Sequence, residues 1–436
     1  MEKYFLKTIS ITAILISGCS VSKQISRQAK SDVFTNPAFV SAHTGISIYE
    51  PATGKYWYNF QGEKYFVPAS NTKLPTCYAA MKYLGDSLVA FRYYEADDTL
   101  FVTPNGDPTF LHPEYFIQPG YNFLSNSKKQ IVINTSRWKE QRWGGGWSWD
   151  DYSDYYAAER SAMPVYGNIV QIKNRLNDYE VMPSFFKNNV QVANTVDKSL
   201  FPQAVHRELA ENSFTVTASG ETEHYTETPF YASNSLVQQL LTDTLHKSIV
   251  INDQQVQSKV VQQIIHSQPT DSMLKPLMHR SDNFFAEQTL LMVSNKLLGV
   301  MSDEMIIDTL LKTDFKELPQ KPYWVDGSGL SHYNLFSPKD FVMILNKMKN
   351  DFGMDRIKNI LATGGTGTIR NYYRADSGFI YVKTGTLSGV VALSGFLYTK
   401  KNKLLIFSTL VNNHHSSSTE IRRGIEKFIQ ELREKN

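Results

Sequence analysis

A chain of 436 residues with a formal charge of +3 has room for two or three domains, and 42% hydrophobic with 13% aromatic content is ample for real cores. Lysine and arginine are scattered among the acids, which argues against nucleic-acid binding and against polybasic attachment to a membrane. No repeat of fixed period and no long low-complexity tract interrupts the chain, so it reads as an ordinary globular protein.

The first residues, MEKYFLKTISITAILISGCS, carry Lys3 and Lys7, then an apolar stretch too short to span a bilayer, then small residues before Cys19. Residues 1–18 therefore read as a secretory signal. Ile16-Ser17-Gly18-Cys19 resembles the bacterial lipobox, which implies lipidation of Cys19 and export as a membrane-anchored periplasmic lipoprotein. The other reading is an ordinary signal peptide with an incidental cysteine. The polar run from Ser20 to about Asn36 reads as a flexible stretch within a lipidated tether of residues 19–40. Cys77 is then the remaining cysteine, so no intramolecular disulfide forms in the mature chain.

Residues 44–60 read as two strands joined by a Pro-Ala-Thr-Gly turn. The stretch VPASNTKLPTCYAAMKYLG follows, with Leu74, Cys77, Tyr78, Met81 and Leu84 at helical spacing and Gly85 where a helix commonly stops. Cys77 lies on that apolar face and reads as core. Pro75 lacks the N–H that would pair with the Asn71 carbonyl, so the helix must start irregularly or bend. Ser70 and Lys73 stand one turn apart, close enough for an amine to reach the hydroxyl. Alone the pair means little, because serine is a favoured N-cap and S-x-x-K also begins at Ser125, Ser136, Ser184 and Ser272.

Residues 88–265 break into short β-rich segments such as KQIVINTS, GNIVQIK and SFTVTAS. Helical periodicity then returns in the stripe Ala286, Leu290, Val293 and Leu297, and near the C-terminus in Ile421, Ile425, Phe428 and Leu432. Between them FIYVKTGT, VVALSGFLYT and KLLIFSTLVNN read as consecutive strands with short connections. The economical architecture is one α/β (α+β) domain made of residues 41–87 and 266–436, an antiparallel sheet flanked by helices, interrupted by a β-rich insertion over 88–265.

Two further tripeptides give the Ser70–Lys73 pair its meaning. Ser281-Asp282-Asn283 stands ahead of a helix and Lys383-Thr384-Gly385 ends a strand, and each tripeptide occurs once. S-x-x-K, S-x-N and K-T-G in this order are the signature of penicillin-interacting serine acyltransferases. The chemistry is acyl transfer through a serine ester. Lys73 takes the Ser70 proton if desolvation and a second cation, Lys383, lower its pKa. Ser281 relays a proton to the departing amine. Asn283 holds a substrate amide and orients Lys73, while Thr384 and Lys383 take a terminal carboxylate. The N–H groups of Ser70 and Thr386 are the natural oxyanion donors, and Gly385 lets substrate approach the strand.

PASNTKLPT, RSDNFFAEQTLL, DGSGLSHYN and VKTGTLSGVVALSGFLY resemble the low-molecular-mass class C penicillin-binding proteins, D-alanyl-D-alanine carboxypeptidases and endopeptidases of peptidoglycan. The resemblance implies a transpeptidase/β-lactamase-like domain with a large insertion between Lys73 and Ser281, peptidoglycan stem peptides as substrate, acylation by β-lactams, and no cofactor. It also implies that Trp147, Asp150 and Asp151, in GGGWSWDDYSDYYAAERSAMPVYGN, help form a pocket for the ammonium end of a residue such as diaminopimelate; the other reading of this stretch is a folded aromatic loop with solvated acids. DGSGLS reads as a structured turn near the cleft, and GGTGTIRNYY is similar to the family's glycine-rich region without an assigned role. A metal mechanism is not expected: the ten histidines are scattered and H-E-x-x-H is absent. The rivals are a β-lactamase or esterase of the same fold, and a non-catalytic wall-binding lipoprotein.

Overall fold

The computed structural model describes residues 21–175, 178–193, 205–217, 223–254 and 261–436. The expected signal and Cys19 lie outside the described residues. In chain order come α1 (residues 21–29, continued by a π-helical turn over Lys30–Phe34), β1 (His43–Glu50), β2 (Lys55–Phe60), α2 (Lys73–Tyr83), β3 (Ser87–Ala96), β4 (Thr99–Pro104), α3 (Pro119–Asn126) and β5 (Gln130–Asn134). Next are β6 (Ile169–Arg175), β7 (Asp178–Met182), β8 (Val190–Ala193), β9 (Val205–Arg207), β10 (Phe214–Thr217), β11 (His224–Pro229), α4 (Asn234–Leu245), β12 (Ile249–Asn252) and β13 (Gln263–Pro269). The last part holds α5 (Thr270–His279), α6 (Asn283–Leu298), α7 (Asp303–Lys312), α8 (Pro338–Ile360), β14 (Ala362–Thr363), β15 (Ile380–Leu387), β16 (Val390–Tyr398), β17 (Leu404–Asn412) and α9 (Ser418–Lys435).

A six-stranded antiparallel sheet in the order β14-β15-β16-β17-β1-β2 joins the two ends of the chain. Alternating side chains send Ile406 and Leu410 into a core with α2, α5, α6 and α8, and Leu405, Phe407 and Val411 into a second core under α9. The apolar stripe of α9 drives this packing: Ile421, Ile425, Phe428 and Leu432 are all buried. Its start is fixed by a reciprocal cap between Ser417 and Glu420. Between β2 and β14 a five-stranded sheet, β12-β5-β4-β3-β13, and two three-stranded sheets enclose a third core that runs from Ala90 to Ile249.

The start of the chain differs from expectation. Residues 21–34 are helical, and Ile25, Ala29 and Val33 are fully buried in the core under α9. The polar composition of residues 20–36 suggested a flexible tether, but Ile25, Ala29 and Val33 recur four apart and make an apolar stripe narrow enough to be lost in that composition. In α6, Ala286, Leu290 and Val293 are buried as their periodicity predicts, whereas Leu297 is 40% exposed, because the helix ends one residue later at Leu298 and turns at Gly299 (φ 74°). Cys77 is buried and its thiol is pushed up to about 12 by desolvation, which makes it a packing group. Among the described residues no helix is long and apolar enough to cross a membrane.

Candidate active site

Pro75 cannot donate to Asn71, and the chain answers with a 3₁₀ turn over Ala69–Thr72 before α2 begins at Lys73. Ser70 sits in that turn. Asn71, beside it, is anchored by its side-chain amide to Ser394 Oγ of β16 at 2.7 Å, and Ser394 donates on to Ser408 Oγ of β17 at 2.8 Å. The turn that carries Ser70 is thereby tied to the middle of the sheet.

Lys73 is fully buried. Its Nζ lies 3.1 Å from Ser70 Oγ, 2.6 Å from Asn283 Oδ1 and 2.7 Å from the Ser328 carbonyl. Burial lowers its pKa to about 8, against the opposing pull of Asp326, Glu287 and Asp282. When Lys73 is neutral, two of its protons serve Asn283 and Ser328 and the remaining lone pair faces Ser70 Oγ. That is the arrangement a general base needs.

Asn283 opens α6 because Asp282 caps it, its carboxylate accepting from Phe285 N at 2.9 Å. Asn283 Nδ2 donates to the Tyr156 carbonyl at 3.0 Å, which fixes its oxygen toward Lys73. Ser281, ahead of the cap, takes a left-handed backbone (φ 64°) and presents its Oγ 2.9 Å from Lys383 Nζ. Lys383, also fully buried, donates in addition to the Thr384 carbonyl at 2.7 Å. Its pKa lies well below the usual lysine range through burial first and the neighbouring Lys73 second. Lys73 has Asp326, Glu287 and Asp282 acting on it, which oppose the effect of burial, whereas burial and the like charge of Lys73 act on Lys383 in the same direction.

Strand β15 forms one wall. β14 pairs with Tyr381 and Val382, so among the described residues the β15 edge from Lys383 onward has no strand on that side. Gly385 packs so tightly on the Ser70 turn that a Cβ there would lie 2.6 Å from the Pro68 carbonyl and 3.0 Å from Ser70 N. Thr384 Oγ1 donates to Thr368 Oγ1 at 2.7 Å, and Arg422 donates to Thr386 Oγ1 at 2.5 Å. A cleft of about 710 Å³ opens over these groups, lined by Ser70, Ser281, Asn283, Thr384 and Thr386 together with Asp151.

The stretch 144–156 divides. Asp151 lines the cleft, accepts from Tyr156 Oη at 3.1 Å, and has its carboxyl pKa raised by burial. Asp150 is exposed and Trp147 is half-buried, and neither lines the cleft. Trp147 Nε1 instead donates to Asp326 at 3.1 Å. Several groups of the site escape sequence reading. Asp326, in the DGSGLS turn, accepts from Gly329 N, Ser331 N and Asn334 Nδ2 as well as from Trp147. Glu287 accepts from Ser328 N at 2.8 Å and from Arg160 at 3.3 Å. The signal for Asp326 was a lone acid between glycines; Glu287 lies one turn beyond Asn283 on the same helix face. The segment GGTGTIRNYY supplies Thr368, Arg370, Asn371 and Tyr372 to the cleft.

A fold and site of this kind have known relatives. Residues 27–432 match the D-Ala-D-Ala carboxypeptidase 3 (S13) family. The chain is 22% identical over 422 residues to the D-alanyl-D-alanine carboxypeptidase DacB of Haemophilus influenzae, covering 85% of this chain and 86% of the relative. It is 24% identical over 438 residues to a D-alanyl-D-alanine carboxypeptidase of Actinomadura sp. strain R39, covering 88% and 80%. Among solved structures, penicillin binding protein 4 of Haemophilus influenzae superimposes with a TM-score of 0.74 at 20% identity, over 94% of this chain and 98% of that one. The chain belongs to the D-Ala-D-Ala carboxypeptidase 3 (S13) family.

Proposed function

We propose that Ser70 is the nucleophile of a D-Ala-D-Ala carboxypeptidase/endopeptidase and that Lys73 is its base. The observation that carries this is the Lys73 amine, buried, 3.1 Å from Ser70 Oγ, with a pKa of about 8. Ser70 Oγ attacks the penultimate carbonyl as its proton passes to Lys73, and the oxyanion is held by the N–H groups of Ser70 and Thr386. As the C–N bond breaks, the proton travels through Ser281 to the leaving amine, which is D-alanine or the amine of a cross-link. Water then attacks the ester, and Lys73 takes its proton in turn. Asn283 holds the substrate amide. Thr384 and Lys383 take the terminal carboxylate, an anion that favours the charged form of Lys383. Asp151 is the group on the cleft suited to the ammonium end of a diamino acid. β-Lactams, as strained amides beside a carboxylate, acylate Ser70 as well.

A peptidoglycan hydrolase works outside the cytoplasm. We propose in addition that residues 1–18 direct export, that Cys19 carries a lipid anchor, and that residues 88–265 form a unit inserted into a catalytic domain of residues 41–87 and 266–436; the separate core from Ala90 to Ile249 supports the last point.

The test is digestion of purified muropeptides, pentapeptide monomers beside cross-linked dimers. The expected result is loss of the terminal D-alanine or conversion of dimer to monomer, absent in Ser70→Ala. Muropeptides left intact by the wild type would contradict the proposal.

A further inference from the structure

Trp147 stands in a loop that the 88–265 region lays across the DGSGLSHYN turn. Gly146 accepts from His332 N at 3.4 Å, and a Cβ on Gly146 would strike Tyr333 at 2.6 Å and Ser331 Oγ at 2.7 Å. At Gly144 a Cβ would meet Trp147 Nε1 at 2.4 Å, so the indole can lie back across the loop only because glycine is there. From that position its N–H reaches Asp326 Oδ2 at 3.1 Å. Asp326 is buried, and each of its oxygens accepts two donors: Gly329 N and Asn334 Nδ2 on Oδ1, Ser331 N and Trp147 Nε1 on Oδ2. Three of these donors belong to the turn that carries Ser328; the fourth comes from Trp147. Ser328 is held by Glu287 through its N–H, and its carbonyl takes a proton of Lys73 at 2.7 Å.

We propose that Trp147 is a positioning residue for Lys73, acting through Asp326 and the Ser328 carbonyl, and not part of the substrate pocket. The proposal rests on Lys73 being the base for Ser70. The indole N–H completes the ligation of a buried carboxylate, and the carboxylate shapes the turn whose carbonyl commits one Lys73 proton and leaves the lone pair on Ser70. The Tyr156 carbonyl, from the same stretch, orients Asn283 and so commits the other. Residues 144–156 therefore brace both supports of the base.

Trp147→Phe in the full chain keeps a ring and removes the N–H. Acylation by benzylpenicillin, which carries no stem peptide, is followed as a function of concentration beside hydrolysis of a stem pentapeptide. Positioning predicts a maximal acylation rate lower by about tenfold, the order of one hydrogen bond to a charged group, at an unchanged half-saturation concentration, for both ligands. Trp147→His, which restores a ring N–H, should recover the rate to within about threefold. A normal penicillin rate with a raised KM for the peptide would overturn the proposal in favour of substrate contact, and no change in either ligand would overturn it outright. Should Trp147→Phe fail to fold, Trp147→His decides: a tenfold loss there refutes the role. Failure of the wild type to acylate would instead bring down the reading of Ser70 and Lys73 beneath it.

Discussion

Lys73 Nζ and Asn283 Oδ1 meet at 2.6 Å across 210 positions of chain. The contact joins the start of α2 to the start of α6, and with the Ser328 carbonyl it sets which way the amine points. Acylation should therefore follow the neutral fraction of Lys73. With a pKa of about 8 in the fold and an ordinary value near about 10.4 when unfolded, the rate should rise with pH up to about 8 and then level. The linkage has a definite sign: between those two values the unfolded chain holds the extra proton, so the Lys73 contribution to stability rises with pH across that window and is at its least below it. Penicillin acylation rates across pH check the first point. A flat profile through the neutral range would refute it.

Burial and the neighbouring Lys73 hold the Lys383 pKa well below the usual lysine range, so a carboxylate ligand should raise it and draw in a proton. Calorimetry of a D-Ala-D-Ala peptide binding to Ser70→Ala, in buffers of different ionisation enthalpy at mildly alkaline pH, should show net proton uptake. Lys383→Met should remove it. Equal heats in all buffers for the parent would contradict the assignment.

Gly385 is required by closeness to the Ser70 turn. Gly385→Ala puts a carbon 2.6 Å from the Pro68 carbonyl and 3.0 Å from Ser70 N, and these two atoms are backbone, so β15 must move away from Ser70. Displacement of this kind can cost on the order of 10²-fold in rate, and acylation should fall by that order while the melting curve stays cooperative. Wild-type acylation in this variant would show that the contact is slack.

The first helix should matter for stability. Ile25 is fully buried under α9, and Ile25→Ala should cost about 2–4 kcal/mol in chemical unfolding, the range for large-to-small changes in a core. A flexible tether would show no change.

The meeting of the three motifs was legible because each occupies a place where local structure is written in few residues: a proline-forced turn for Ser70, a capped helix start for Asn283, a strand for Lys383. The sheet that unites them was legible from strands at both ends of the chain. What escaped depends on contacts between distant segments. Nothing local marks the Ser328 carbonyl as a ligand of Lys73, or Glu287 as the partner of Ser328 and Arg160. Trp147 has the composition of a pocket residue but spends its N–H on Asp326, and Asp150 faces solvent. The polar surface of α1 hid a stripe that only α9 reveals.

The most direct measurement is the intact mass of the protein lacking residues 1–19 after brief exposure to benzylpenicillin, with Ser70→Ala beside it. One penicilloyl adduct on the wild type and none on the variant is the predicted result. An adduct on both, or on neither with penicillin left intact, would contradict Ser70 as the nucleophile.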